Sequence, residues 1–206
     1  SQVEWLDGAG IALVRGRARL TGPKTLDVTT DDGSVTTLTA RHAVIMATGS
    51  VPVVPPVDGL AEANPWGSRE ATSVKDVPAS LAIMGGGVVG VEMATAFADL
   101  GTKVTLVVRG ERLLAANEPF AGDAVADSLR DLGVDVRLST DVTSVEVHDD
   151  GTHLVTSTAG STETVVAEKL LVATGRKPAT SDIGLEAVGL TAGDPLTVDD
   201  AMLVAG

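Results

Sequence analysis

Three glycines in the stretch "SLAIMGGGVVGVE", Gly85, Gly87 and Gly90, follow the spacing G-x-G-x-x-G. Each position has its own physical reason to lack a side chain: a tight turn at the first, close backbone approach to a pyrophosphate at the second, and close helix-to-strand packing at the third. The helix opened by Val88 and Val89 then offers unpaired N–H groups and a partial positive charge to an anion. The chemistry of such a loop is to hold the pyrophosphate of a dinucleotide. An apolar run precedes the glycines, a helical pattern follows, and a second apolar run, "KVTLVV", comes next. That context separates a dinucleotide fingerprint from a chance glycine loop.

NAD-selective sites place an acidic residue at the end of the second strand to hold the ribose 2'-hydroxyl. This chain reads Val107, Val108, Arg109, Gly110, Glu111, Arg112 there. Arg109, helped by Arg112, suits a 2'-phosphate through paired charged hydrogen bonds, so NADP is expected over NAD. Glu111 stays open as a ribose contact. Other catalytic chemistry is scarce. The chain has no Cys, and His42, His148 and His153 stand in strand or turn contexts without a visible nucleophile. No paired carboxylates, metal-ligand spacing or Ser-His-Asp arrangement stands out, so neither a catalytic residue nor a metal site is expected.

The elements that must position the fingerprint are legible around it. "SLAIM" reads as a buried strand, Val89, Met93, Ala96 and Leu100 as one helical face ended by Gly101, and "KVTLVV" as the next strand. Asn117 with Pro119 opens a second helix, with Val125, Leu129 and Leu132 as its inner stripe, and "VDVRL" is a third strand. This β-α-β-α-β order implies a parallel sheet with crossover helices. On either side the texture is antiparallel: "TLDVTTDDGSVTTLTA" turns at Asp32-Gly33 and "DVTSVEVHDDGTHLVTSTAG" around Asp150-Gly151. Each antiparallel stretch leads to an apolar run ending in Ala-Thr-Gly, "AVIMATGS" at 43–50 and "LLVATGR" at 170–176, as if one architectural element occurred twice. Pro52, Pro55 and Pro56 mark a domain boundary between 52 and 77.

A chain of 206 residues with formal net charge -13 does not suit nucleic acid, which needs a basic surface. The aromatic set, Trp5, Trp66, Phe97 and Phe120, offers no stacking platform for bases. No apolar run reaches the roughly 18 residues of a membrane span, and no leader pattern is visible, so a soluble cytoplasmic protein is expected.

Taken together, the two "ATG" runs, the fingerprint "GGGVVGVE" and the antiparallel stretches between them resemble the pyridine nucleotide-disulfide oxidoreductases. That family includes dihydrolipoamide dehydrogenase, glutathione reductase and mercuric reductase. The resemblance implies an α/β fold: a Rossmann-like FAD/NAD(P)-binding domain with a parallel sheet and an antiparallel β-meander, plus incomplete flanking FAD-domain segments. It implies residues 1–52 as a partial FAD-binding domain, 53–77 as linker, 78–173 as the NAD(P)-binding domain and 174–206 as the return into the FAD-binding domain. An FAD domain interrupted by an NAD(P) domain explains why the fingerprint lies in mid-chain. By the same resemblance, Ala47, Thr48 and Gly49 approach FAD, and Thr174 and Gly175 lie beside the nicotinamide nucleotide. Glu92 meets a flavin-side lysine, and Val88 stands where some members carry a tyrosine gate.

The family's first fingerprint, redox cysteine pair, flavin-side lysine, final FAD-binding segment and dimerisation domain have no counterpart in these residues. A portion of a larger, homodimeric enzyme is therefore expected, one that binds a nicotinamide dinucleotide, holds FAD loosely and does not turn over alone. Rival readings are a flavoprotein reductase without a redox disulfide, a stand-alone nucleotide-binding module, and, more weakly, a methyltransferase.

Overall fold

The structure, a computed structural model, describes residues 1–204, and the chain divides into two compact units, 1–51 with 177 onward, and 52–176. The first unit begins with α1 (Gln2–Gly8), capped reciprocally by Ser1 and Glu4. This helix escaped the sequence reading although Ser-x-x-Glu is a capping-box signature. Three strands follow as an antiparallel meander, β1 (Arg17–Gly22), β2 (Thr25–Thr29) and β3 (Val35–Thr39), with Thr29 facing Val35 across the turn that holds Gly33. A 3-10 turn at Leu185–Val188 packs on this meander, and Leu20 N–H donates to Ile183 O at 2.8 Å.

The run 43–49, expected as a strand, is not one. It has no ladder partner among the described residues, and Ile45 stands 87% exposed. A strand exists only through the hydrogen bonds of a neighbour, however apolar its sequence. The chain passes between units within two short strands, β4 (Ser50–Pro52) and β12 (Arg176–Pro178).

In the second unit a parallel sheet has the order β11-β5-β6-β7, built from β5 (Ser80–Met84), β6 (Lys103–Val107), β7 (Asp135–Arg137) and β11 (Lys169–Val172). Helices α3 (Val88–Asp99) and α4 (Pro119–Asp131) connect β5 to β6 and β6 to β7. Strands β8 (Thr140–His148), β9 (Gly151–Thr158) and β10 (Ser161–Ala167) form an antiparallel sheet between β7 and β11 in sequence. The tight turn between β8 and β9 is Asp149-Asp150, one residue earlier than expected.

Alternation along the strands explains why they read as continuous apolar runs. Leu81, Ile83 and Leu171 join Ala94, Phe97, Ala126 and Leu129 of the helices in one core. Ala82, Met84, Leu170 and Val172 join Val145, Leu154, Val165 and Ala167 of the antiparallel sheet in another. Both faces of the parallel sheet are thus covered, which is the condition for unbroken hydrophobicity in a strand.

Two helix faces differ from the expected ones. The buried face of α3 is Gly90, Ala94 and Phe97, while Ala96 and Leu100 are exposed. In α4 it is Gly122, Ala126 and Leu129, with Leu132 exposed; Glu118 rather than Asn117 is the N-cap residue. Small residues let the helices approach the sheet most closely, and hydropathy ranks them below the Val, Met and Leu beside them.

Residues 53–77, expected as a linker, belong to the second unit. They carry the fully buried Leu60, short helix α2 (Ser68–Ser73) with buried Ala71, and Trp66, which lies 6.2 Å from Phe97 between ring centroids. Among the described residues no helix is long and apolar enough to cross a membrane.

Candidate dinucleotide site

In the parallel sheet the connections from β5 run outward to β6 and β7, while β11 lies on the other side of β5. The strand order therefore reverses between β5 and β11, and the crevice beyond the carboxyl ends at such a point is where open α/β sheets bind ligands. A cleft of about 260 Å³ opens there, lined by Gly85 to Val89 on one side and Val172 to Arg176 on the other, with Pro52 and Ser68 at its rim.

The glycines shape this cleft as their spacing predicts. Gly85 has φ +115°, and a Cβ there would lie 2.5 Å from Ala173 O. A Cβ at Gly90 would lie 1.9 Å from Gly85 O, so α3 rests directly on the turn. Gly87, by contrast, has open space where a side chain would be. It is the N-cap residue of α3, and neither a side-chain cap nor an acidic residue occupies the first turn. The N–H groups of Val88 and Val89 face a site where an anion is favoured by hydrogen bonding and by the helix dipole. Val88 is exposed and Val89 half-buried; Glu92 is exposed one turn further along.

A second cleft of about 390 Å³ shares Gly85 and Gly86 with the first and reaches Arg109, Gly110 and Asp141 beyond β6. Arg109 is exposed and forms no ion pair among the described residues. Arg112 is half-buried, and its Nη2 donates to Ala115 O at 3.2 Å, so part of its capacity is spent on its own loop. Thr174 and Gly175 are tied to the rim: Thr174 Oγ1 donates to Val53 O at 2.9 Å and Val53 N–H to Gly175 O at 3.0 Å. The Thr174 hydroxyl proton is therefore committed to the Val53 carbonyl, and Thr174 and Gly175 are both exposed.

The structure thus gathers Gly85, Gly87, Val88, Val89, Arg109, Thr174 and Gly175 around two adjoining clefts of one unit, with Gly90 buried beneath the turn, whereas Glu92 and Arg112 line neither cleft. Ala47, Thr48 and Gly49 belong to the first unit, where they are exposed; Gly49 has φ +71° and accepts from Ala179 N–H at 3.0 Å. Sequence reasoning passed over Gly86, whose Cβ would lie 2.9 Å from both Leu113 and Val108 side-chain carbons; the triple-glycine run was the available signal. The rings of His148 and His153 lie 4.3 Å apart and tilted by 43° on the β8–β9 hairpin, bonded to Glu146 and Asp150 respectively. The His153 bond holds the Asp150 carboxyl below its ordinary value. Among the described residues no group of three or more His, Asp or Glu could hold a metal ion.

The family model described as pyridine nucleotide-disulphide oxidoreductase matches residues 1–205. The chain belongs to that family. Its curated relatives include a mercuric reductase of Streptomyces lividans, 36% identical over 185 residues, covering 90% of this chain and 39% of the relative. A dihydrolipoyl dehydrogenase of Chlorobaculum tepidum is 39% identical over 191 residues, covering 90% and 39%. Among solved structures, the HOCl-induced flavoprotein disulfide reductase RclA of Escherichia coli aligns with TM-score 0.79 and 26% identity over 99% of this chain and 44% of its own. LpdA of Mycobacterium tuberculosis aligns with TM-score 0.79 and 27% identity, covering 96% and 44%. The chain spans between about a third and two fifths of the length of the curated relatives it matches. Family and fold agree with the Rossmann-like α/β reading of the sequence, and the family works with FAD and NAD(P)H.

Proposed function

We propose that this chain is the nicotinamide-dinucleotide-binding portion of an FAD-dependent oxidoreductase whose electrons pass onward to a disulfide. One observation carries the reading: the glycine turn and the uncapped N-terminus of α3 open into a cleft at the point where the strand order reverses. In this reading the first turn of α3 receives the pyrophosphate, with Gly85 forming the tight turn, Gly90 letting the helix rest on it and Gly87 leaving room for the approach. The nicotinamide end lies toward Thr174, Gly175, Val88 and Glu92. The adenosine end lies toward Arg109, with Arg112 as a lesser contact because of its bond to Ala115. The unpaired guanidinium of Arg109 supports NADP over NAD.

When bound, the nicotinamide supplies a hydride to the flavin. The share of these residues is to bind and orient. No residue here is assigned an acid, base or nucleophile role, and the chain alone is not expected to turn over. Ala47, Thr48 and Gly49 are proposed as part of the FAD-binding unit, formed by residues 1–51 and 177 onward. The complete enzyme is proposed to be a cytoplasmic homodimer.

The test is a titration of the chain with NADPH and NADH at matched low ionic strength, following nicotinamide fluorescence or binding heat. Saturable NADPH binding is expected, and Arg109→Glu should weaken it about 10- to 100-fold while leaving NADH little changed. A folded chain that binds neither nucleotide removes the reading. Unchanged NADPH affinity in the variant removes the role of Arg109 alone.

A further inference from the structure

Leu114 has φ +50°, a left-handed conformation that a bulky L-residue keeps only where its surroundings hold it. Its backbone is engaged on both sides: Leu114 N–H donates to Gly86 O at 2.8 Å, and Leu114 O accepts from Asn117 N–H at 2.8 Å. The residue before it is keyed in place. Leu113 is fully buried, its side chain lies against Gly86, and its carbonyl lies where a Cβ on Gly122 of α4 would come within 2.3 Å of it. Two glycines distant in sequence thus accept one leucine, and the next residue is bent back to bond the glycine turn. The same loop carries Arg109 and Arg112 a few residues upstream.

The bond to Gly86 O fixes more than a loop. In a trans peptide the C=O and the following N–H point in opposite directions, so anchoring Gly86 O to the loop turns Gly87 N–H away from it. Gly87 N–H has no backbone acceptor among the described residues. One hydrogen bond therefore sets the peptide plane of the phosphate-facing turn and, at the same time, the position of the arginine loop.

We propose that Leu114 is a positioning residue that couples the two phosphate-recognition parts of the site, the pyrophosphate turn at Gly86-Gly87 and the 2'-phosphate loop at Arg109. The proposal rests on reading the clefts as a dinucleotide site. Loosening Leu114 should weaken any dinucleotide and should also erode discrimination for the 2'-phosphate, because both parts lose their common reference. A residue that merely filled space would lower thermal stability and leave the NADPH-to-NADH affinity ratio as it was.

The experiment compares the 206-residue chain with Leu114→Val, whose β-branch opposes the left-handed conformation, and Leu114→Asn, which tolerates it. Titrations with NADPH and NADH are paired with thermal melts. Leu114→Val is expected to bind NADH about tenfold more weakly and NADPH weaker still, with Leu114→Asn close to the parent. Parent-like affinities in Leu114→Val, or an unchanged ratio, overturn the coupling. Should Leu114→Val fail to fold, amide hydrogen exchange in the parent chain gives the same decision. The Leu114 amide should be protected with and without nucleotide, and the Gly87 amide only once NADPH is added; a Gly87 amide indifferent to saturating NADPH overturns the proposal. A parent chain that binds neither nucleotide defeats the site reading first, and the positioning role falls with it.

Discussion

Residues 43–50 and 170–176 end their apolar runs in the same Ala-Thr-Gly, yet only the second becomes a strand. Strand β11 pairs with β5 along one edge, and along the other Trp66 N–H donates to Leu170 O at 2.8 Å while Val172 N–H donates to Trp66 O at 2.9 Å. With both edges occupied, Leu170, Leu171 and Val172 are buried. The first copy has no ladder on either edge among the described residues, and its Ile45 faces solvent. Local sequence supplies apolar side chains and a glycine stop in both places. What converts the run into a strand is the hydrogen-bonding neighbour, and with it the burial that makes an aliphatic side chain worth about 1.5–3 kcal/mol.

The contrast between the copies can be broken by mutation. The largest effect is expected from Leu171→Ala, about 2–5 kcal/mol lost in denaturant unfolding, because a closely packed core collapses only partly around the hole. Gly85→Ala, at the turn that faces the second copy, should cost about 1–3 kcal/mol through its positive φ and its clash with Ala173 O, and should abolish nucleotide binding in the same titration. Thr174→Val removes the bond to Val53 O and should cost about 1 kcal/mol, whereas Thr48→Val in the first copy should be neutral by the same thermal melt.

A smaller effect concerns Glu70, whose carboxylate accepts Gly67 N–H at 2.8 Å beside Trp66. Backbone N–H donors, its own and then that of Gly67, hold its carboxyl below the ordinary value of 4.5. A lowered folded value gives stability that is present above the unfolded pKa and is lost as pH falls through the folded one. Glu70→Gln should therefore remove part of the acid-side loss of stability in melts taken across that range. The smallest effect, within about 0.5 kcal/mol, is expected for Ile45→Ser, and a large loss there would mean that the first copy is buried after all.

The fingerprint turn, the β5-α3-β6-α4-β7 order and the β2–β3 and β8–β9 hairpins were legible because each rests on local chemistry: a glycine where φ is positive, a period-two run, an aspartate turn beside a glycine. Gly85, Gly87, Val88 and Val89, which line the cleft beside that turn, were legible for the same reason. The inner faces of α3 and α4 were not legible, since closeness of approach selects Gly90, Ala94, Gly122 and Ala126, which hydropathy undervalues. The strand at 43–49 failed because pairing is a property of two segments. Residues 53–77 read as a linker from their prolines, but Leu60 and Trp66 bury against elements far along the chain. The keying of Leu113 between Gly86 and Gly122 involves residues whose proximity no short window reports.

The second unit is one continuous stretch, 52–176, and the first is split around it. Within the second unit the two ends of that stretch meet, since Val53 and Gly175 are joined by a backbone hydrogen bond. A disordered chain of that length would oppose joining the split segments by loop-closure entropy on the order of 4 kcal/mol. Once the inserted stretch has folded, that cost is already met, and the segments on either side emerge as near neighbours. Continuity of the 52–176 stretch thus spares the split unit most of the entropy that an unfolded insertion of that length would impose on it.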